Sequence, residues 1–202
     1  MRVGIDLDNT LISYDQAFQR VAREEGLLPS SFEGNKAAVK RALLAERPDG
    51  FLWESLQGLV YGRRIDAAIL FDGVAGFLEA CRARADVVVA IVSHKTELAH
   101  HDPHRTDLRV AALRWMEGNR FFDGAGLGIG RDNVYFEGTR DEKVRRIRAL
   151  GCDVFVDDLA EVLGHAEMPA TCRKILFGSE PQSEFEQYAS WDEVRDALFR
   201  GN

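Results

Sequence analysis

Val3-Gly4-Ile5-Asp6-Leu7-Asp8-Asn9-Thr10-Leu11 is an apolar run that breaks into two aspartates two positions apart. A short apolar run without alternation is the pattern of a strand covered on both faces. Similar runs recur at 87–92, 134–136, 154–156 and 175–177. Between them lie stretches of helical spacing: Val74, Phe77, Leu78 and Cys81 fall at i, i+3, i+4 and i+7, with Asp72 placed as an N-cap. Capping boxes are expected at Thr139 with Glu142, ahead of a helix over 141–150, and at Ser190 with Glu193, ahead of the last helix. Strand and helix alternate, which predicts an α/β fold with a parallel, doubly wound sheet.

One segment breaks the alternation. Residues 13–72 hold no convincing strand and read as three or four helices. The first puts Tyr14, Ala17, Phe18, Val21 and Ala22 on one face, with Ser13 and Gln16 as a capping box; the second follows Asn35; the third carries Leu52, Trp53, Leu56, Leu59 and Val60. The expected organisation is therefore a core over 1–12 and 73–202 interrupted by a helical insertion over 13–72, with hinges at 11–13 and 69–73.

With 46% apolar residues spread over 202 positions, the composition is that of a globular chain with a substantial core. A formal charge of −7, with no long lysine or arginine run, leaves no electrostatic footprint for a nucleic-acid backbone. No apolar run reaches the roughly 20 residues that span a bilayer. The first strand starts so close to Met1 that neither a signal nor a transit peptide is expected, and the chain reads as cytoplasmic. Cys81, Cys152 and Cys172 are odd in number and outside any Cys-x-x-Cys pattern, so they read as reduced packing residues.

In an open parallel sheet, ligands bind beyond the carboxyl ends of the strands. Asp6 and Asp8 follow the first strand, Ser93 the second, and Asp157 and Asp158 the fourth; Lys143 stands early in the helix after the third. Like-charged carboxylates at about 4 Å repel by roughly 4 kcal/mol per pair at an effective dielectric near 20, so a counter-charge is required. Hard oxygen ligands favour Mg²⁺, with Lys143 as a second cation. The Ser93 hydroxyl and the backbone N–H groups from Asn9 onward are then placed to hold phosphoryl oxygens. Asp6 is assigned as a carboxylate nucleophile and Asp8 as general acid/base.

These residues, Asp6-Leu7-Asp8-Asn9-Thr10-Leu11, Ser93, Lys143 and Val156-Asp157-Asp158, resemble the four ordered motifs of the haloacid dehalogenase (HAD) superfamily, across a core of about 140 residues. The resemblance implies a Rossmann-like core. It also implies metal ligation by the Asp6 side chain, the Asp8 main-chain carbonyl and Asp157, with Asp158 as a ligand or neighbour. The second aspartate, Asp8, is similar to the phosphatase branch rather than to the dehalogenases that lack it. The insertion 13–72 occupies the place of that family's first type of cap, between its first and second motifs. Only 13 residues separate Lys143 from Asp157, and a core helix and strand are expected to fill the stretch between Ser93 and Lys143, so a second large cap has no room.

His94 and Lys95 depart from the small or amide-bearing residues that the family usually places after the serine, and are candidate substrate contacts. The segment 94–105 holds His94, His100, His101 and His104, at spacings that fit a solvated or substrate-facing loop better than a zinc site. Arg64, beside Arg63, is a further candidate for an anionic substrate, against the plainer reading of an exposed pair. Gly124, Gly126, Gly128 and Gly130 precede a strand and open no helix, which is not the context of a dinucleotide fingerprint. The expected function is a phosphatase of a small phosphorylated metabolite, sugar or polyol phosphates ahead of nucleotides. Its alternatives are a phosphotransferase of the same superfamily or a non-catalytic module that binds a phospholigand.

Overall fold

A computed structural model of the chain describes residues 1–179 and 184–200. The elements in chain order are β1 (Arg2–Ile5), β2 (Ile12–Ser13), α1 (Asp15–Glu24), α2 (Lys36–Glu46), α3 (Phe51–Tyr61), β3 (Ile69–Leu70), α4 (Val74–Arg82), β4 (Val88–His94), α5 (Leu108–Gly118), β5 (Val134–Glu137), α6 (Arg140–Leu150), β6 (Val154–Asp157), α7 (Ala160–Leu163), β7 (Arg173–Phe177), β8 (Glu186–Tyr188) and α8 (Trp191–Phe199). They fall into two compact units. Met1–Leu11, Leu70–Lys95 and Asn119–Asn202 form an α/β unit, and Ile12–Ile69 with Thr96–Gly118 form a helical one.

The α/β unit is built on a six-stranded sheet in the order β5-β4-β1-β6-β7-β8, with every pair parallel. The chain runs from β1 out to β4 and β5, then returns to β6 on the other side of β1. The strand order therefore reverses at β1, and the crevice for a ligand lies beyond the carboxyl ends of β1, β4 and β6. Both faces of the sheet are covered, as adjacent residues of β7 show. Leu176 joins a cluster with Val144 and Ile147 of α6, Phe155 of β6 and Val162 of α7. Phe177, pointing the opposite way, stacks on Trp191 of α8 at 5.3 Å, and Trp191 in turn meets Phe77 of α4 at 4.7 Å.

Gly4 sits in β1 opposite Phe155 of β6. A Cβ there would lie 2.5 Å from the Phe155 ring and 2.9 Å from Cys152 Sγ, so only glycine lets that ring pack beneath the end of β1. All three cysteines are free and buried. Among the described residues no helix is long and apolar enough to cross a membrane.

The helical unit is an aromatic core. The α1 face Ala17, Phe18, Val21 and Ala22 is buried, Phe18 stacks on Trp53 of α3 at 5.0 Å, and Tyr14 meets Tyr61 edge-on at 4.7 Å. Asn35 caps α2 by accepting from Ala38 N at 3.0 Å. The segment 13–72 expected as an insertion supplies most of this unit, and 96–118 supplies the rest. The helix after Ser93, expected on the sheet, groups here as α5 because Leu108, Ala111, Ala112 and Trp115 form a buried face and the Trp115 indole donates to Ala68 O at 3.2 Å.

Several local expectations shift. Ser13 does not cap α1: it lies in β2, and the helix opens after Tyr14 without a side-chain cap. The N-cap of α4 is Gly73, not Asp72, at φ 84°, where a Cβ would stand 3.1 Å from Trp191 Cβ. Thr139 does cap α6, accepting from Glu142 N at 3.2 Å, and Ser190 with Glu193 makes a complete capping box on α8.

Candidate active site

The ladder between β1 and β6 runs one residue past β1, with Asp6 N donating to Val156 O at 2.9 Å, so the Asp6 carboxyl emerges at the reversal point of the sheet. The chain then turns at once. Asn9 takes φ 60°, a left-handed conformation that asparagine tolerates better than most residues, and Leu11 N returns to Leu7 O at 3.0 Å. The turn brings Thr10 beneath the aspartates, its hydroxyl 3.5 Å from Asp6 Oδ2 and 3.4 Å from Asp158 Oδ1. From α8, the Trp191 indole donates to Thr10 O at 2.9 Å and holds the turn in place.

Asp157 ends β6 fully buried, and its Oδ1 accepts from Leu159 N at 3.0 Å. This side-chain turn bends the backbone out of the strand, so Asp158 need not point to the opposite face as strand alternation would require. Carboxylate oxygens of Asp6, Asp157 and Asp158 lie within 4.8 Å of one another. Lys143 reaches in from α6, with its ammonium 2.6 Å from Asp6 Oδ1 and 2.6 Å from Asp157 Oδ2 and 5.6 Å from the centre of the Phe155 ring. Gly4 thus serves the site at one remove, through the ring that lies alongside this lysine.

β4 supplies the remaining groups by its period of two. Ser93 and Lys95 are buried and His94 between them is exposed. Ser93 Oγ has no hydrogen-bond partner among the described residues. Lys95 N donates to Glu137 O at 2.9 Å, which extends the β4–β5 ladder, and the Lys95 ammonium lies 2.7 Å from Asp8 Oδ2. His94 turns to Gly138 O at 3.1 Å.

The electrostatics describe a site short of positive charge. Burial pushes the Asp6 carboxyl well above the usual carboxylate range, Asp157, Asp158 and Asp8 push it the same way, and Lys143 opposes without cancelling them. Burial disfavours the Lys143 charge, yet Asp6 and Asp157 outweigh it and hold the ammonium above the ordinary lysine range. Burial, with the nearby Lys143 and Arg140 charges, lowers the His94 imidazole below its ordinary range despite its bond to Gly138. With all four aspartates ionised, their carboxylates face two ammonium groups, an excess that one divalent cation would balance. The donor set fits a hard cation: it is all oxygen, with no sulfur or imidazole in the cluster.

The structure thus gathers Asp6, Asp8, Ser93, Lys95, Lys143, Asp157 and Asp158 at one edge of the α/β unit. His94 stands on the other face of its strand. Arg64 belongs to the helical unit, where it is ion-paired with Glu24 and, at 3.0 Å, with Glu25. Of the other loop histidines, His101 lies in the helical unit, 3.0 Å from Glu54. Two organising residues were not singled out from sequence. Thr10 lay inside the quoted motif, but nothing in the sequence shows that its hydroxyl faces two carboxyls, and the Trp191 clamp joins positions 181 apart.

No family model and no curated protein sequence matches the chain. Solved structures do resemble it. A HAD-superfamily hydrolase of subfamily IA from Geobacter sulfurreducens PCA shares 14% identity at a TM-score of 0.58, over 98% of this chain and 95% of that one. A HAD family hydrolase from Deinococcus radiodurans R1, solved with bound phosphate and sodium, shares 20% identity at 0.54, over 98% and 95%. The protein tyrosine kinase A of Mycobacterium tuberculosis shares 18% at 0.56, over 98% and 97%. At these identities the likeness is one of fold: the chain has the Rossmann-like α/β architecture of HAD-superfamily hydrolases.

Proposed function

We propose that this chain is a cytoplasmic, Mg²⁺-dependent phosphohydrolase that attacks a small phosphomonoester through Asp6, without a nucleic-acid or membrane partner. The observation that carries this reading is the meeting of Asp6, Asp157 and Asp158 within 4.8 Å, with Lys143 bridging the first two. Asp6, Asp157, the Asp8 main-chain carbonyl and, directly or as a neighbour, Asp158 would hold the cation. When bound, it supplies positive charge that offsets the phosphoryl oxygens and favours ionised Asp6.

The protein groups then divide the work. Ser93 Oγ, Lys143 and the N–H groups from Asn9 onward hold the phosphoryl oxygens. An Asp6 oxygen attacks phosphorus, the bond to the leaving oxygen breaks with its electron pair, and that oxygen takes the proton of Asp8. Asp8, now a carboxylate, removes a proton from water as the water oxygen attacks the aspartyl-phosphate. The bond to Asp6 breaks, inorganic phosphate leaves, and both aspartates return to their starting states.

Sugar or polyol phosphates are favoured over nucleotides because the residues gathered at the strand ends of the α/β unit, Asp6, Asp8, Ser93, Lys95, Lys143, Asp157 and Asp158, include no aromatic ring on which a base could stack. The phosphate and sodium bound to the Deinococcus radiodurans hydrolase of this fold support a pairing of phosphate with a cation.

Hydrolysis of p-nitrophenyl phosphate is expected to require Mg²⁺, to stop on chelation, and to fall by about 10³-fold or more in Asp6→Asn. Full activity in that variant would falsify the assigned nucleophile. Phosphate release measured against transfer to added sugars separates hydrolysis from phosphotransfer, and absence of both in the wild-type chain would leave a binding module.

A further inference from the structure

The position of Lys95 is not explained by a general need for cations at a phosphate site. Its side chain is 3% exposed, and its ammonium lies 2.7 Å from Asp8 Oδ2, whereas the cation that meets Asp6 and Asp157 is Lys143. The backbone fixes this division of labour. Because Lys95 N continues the β4–β5 ladder onto Glu137 O, strand geometry is kept past His94, and residues 93 and 95 share a face while residue 94 takes the other. The same strand end therefore delivers an unpartnered hydroxyl and, two residues on, a buried ammonium against the proposed acid/base.

We propose that Lys95 is a positioning residue for Asp8, an inference that rests on the phosphatase reading. Asp8 stands just before the left-handed turn at Asn9, and an aspartate side chain has more than one staggered rotamer. The ion pair with Lys95, held just past β4 by its bond to Glu137 O, favours one of them. It keeps the carboxyl at the distance from the leaving oxygen, and then from water, that proton transfer needs. Lys95 thus acts on the reaction through Asp8, and the substrate phosphate is left to Ser93 and Lys143.

The test is a double-mutant cycle on p-nitrophenyl phosphate with Mg²⁺, using wild type, Lys95→Met, Asp8→Asn and the double variant, with inorganic phosphate as competing ligand. Positioning predicts that Lys95→Met lowers kcat by about 10- to 100-fold, within the range of one acid/base group. KM and inhibition by phosphate should stay within about twofold, since ground-state binding is not the interaction lost. In the Asp8→Asn background the same substitution should cost nothing further in kcat.

A rise in KM and weaker phosphate inhibition at unchanged kcat would make Lys95 a substrate contact and overturn the proposal. Losses that multiply in the double variant would do so as well, because Lys95 would then act independently of Asp8. If Lys95→Met fails to fold, Lys95→Gln, which keeps a hydrogen-bond donor, is read in the same cycle. No turnover in the wild-type chain rejects the phosphatase reading and the positioning role with it, whereas turnover with either overturning pattern rejects the role alone.

Discussion

Lys143 is one of the few buried charged residues, at 1% exposure, and its ammonium touches both Asp6 and Asp157. Taking two carboxylates out of water is costly, and one ammonium placed 2.6 Å from each is what makes it bearable in the metal-free protein. Removing one partner of a buried ionic cluster leaves the others uncompensated. Lys143→Met is therefore expected to lower unfolding free energy by about 3–5 kcal/mol in urea titrations with chelator present, and Mg²⁺ should recover part of it. A loss under about 1 kcal/mol would mean that water or proton uptake already neutralises the aspartates. This lysine was legible in the sequence because it falls at a fixed place in an ordered set of motifs. Lys95 was legible only as a departure, since its partner Asp8 is 87 positions away and only the ladder beyond β4 aims one at the other.

Elements carry the site by their ends, and α8 shows how. Its capping box joins Ser190 and Glu193, with Glu193 N donating to Ser190 Oγ at 3.3 Å and Glu193 Oε2 accepting from Ser190 N at 3.2 Å. The next residue is Trp191, whose indole holds Thr10 O under the aspartates. Ser190→Ala should cost about 1 kcal/mol, the usual worth of an N-cap, read as a shift of the urea midpoint at unchanged slope. No shift would show that packing of Trp191 against Phe77 and Phe177 alone sets the start of the helix. This box was plain in the sequence because both partners are local. The buried strands β1, β4, β6 and β7 were also plain, since strands covered on both faces carry short apolar runs without alternation. Missed features depended on distant partners. β8 is a half-buried edge strand reading Glu-Gln-Tyr, with no apolar run to announce it. Gly73, at a left-handed φ and close against Trp191, caps α4 in place of Asp72, and α5 groups with the helical unit, where its indole bonds to Ala68.

At the scale of the whole chain, the formal charge is −7, and four aspartates meet two lysines at one strand-end crevice. A ligand that binds this arrangement in the folded state and not in the unfolded chain stabilises the fold by mass action, by about 2.7 kcal/mol at a hundredfold excess over its dissociation constant. For a chain of this size each kcal/mol moves Tm by about 2–4 °C, so saturating Mg²⁺ should raise Tm by roughly 5–10 °C over the chelated protein. The shift should disappear in Asp157→Asn, which removes a buried carboxylate of the cluster without changing side-chain volume. Sodium at equal ionic strength should reproduce little of it, because screening acts weakly on groups this buried. An equal shift in Asp157→Asn would place the stabilising ion elsewhere on the acidic surface. It would also remove the main support for a metal at the end of β1, whatever the activity assays report.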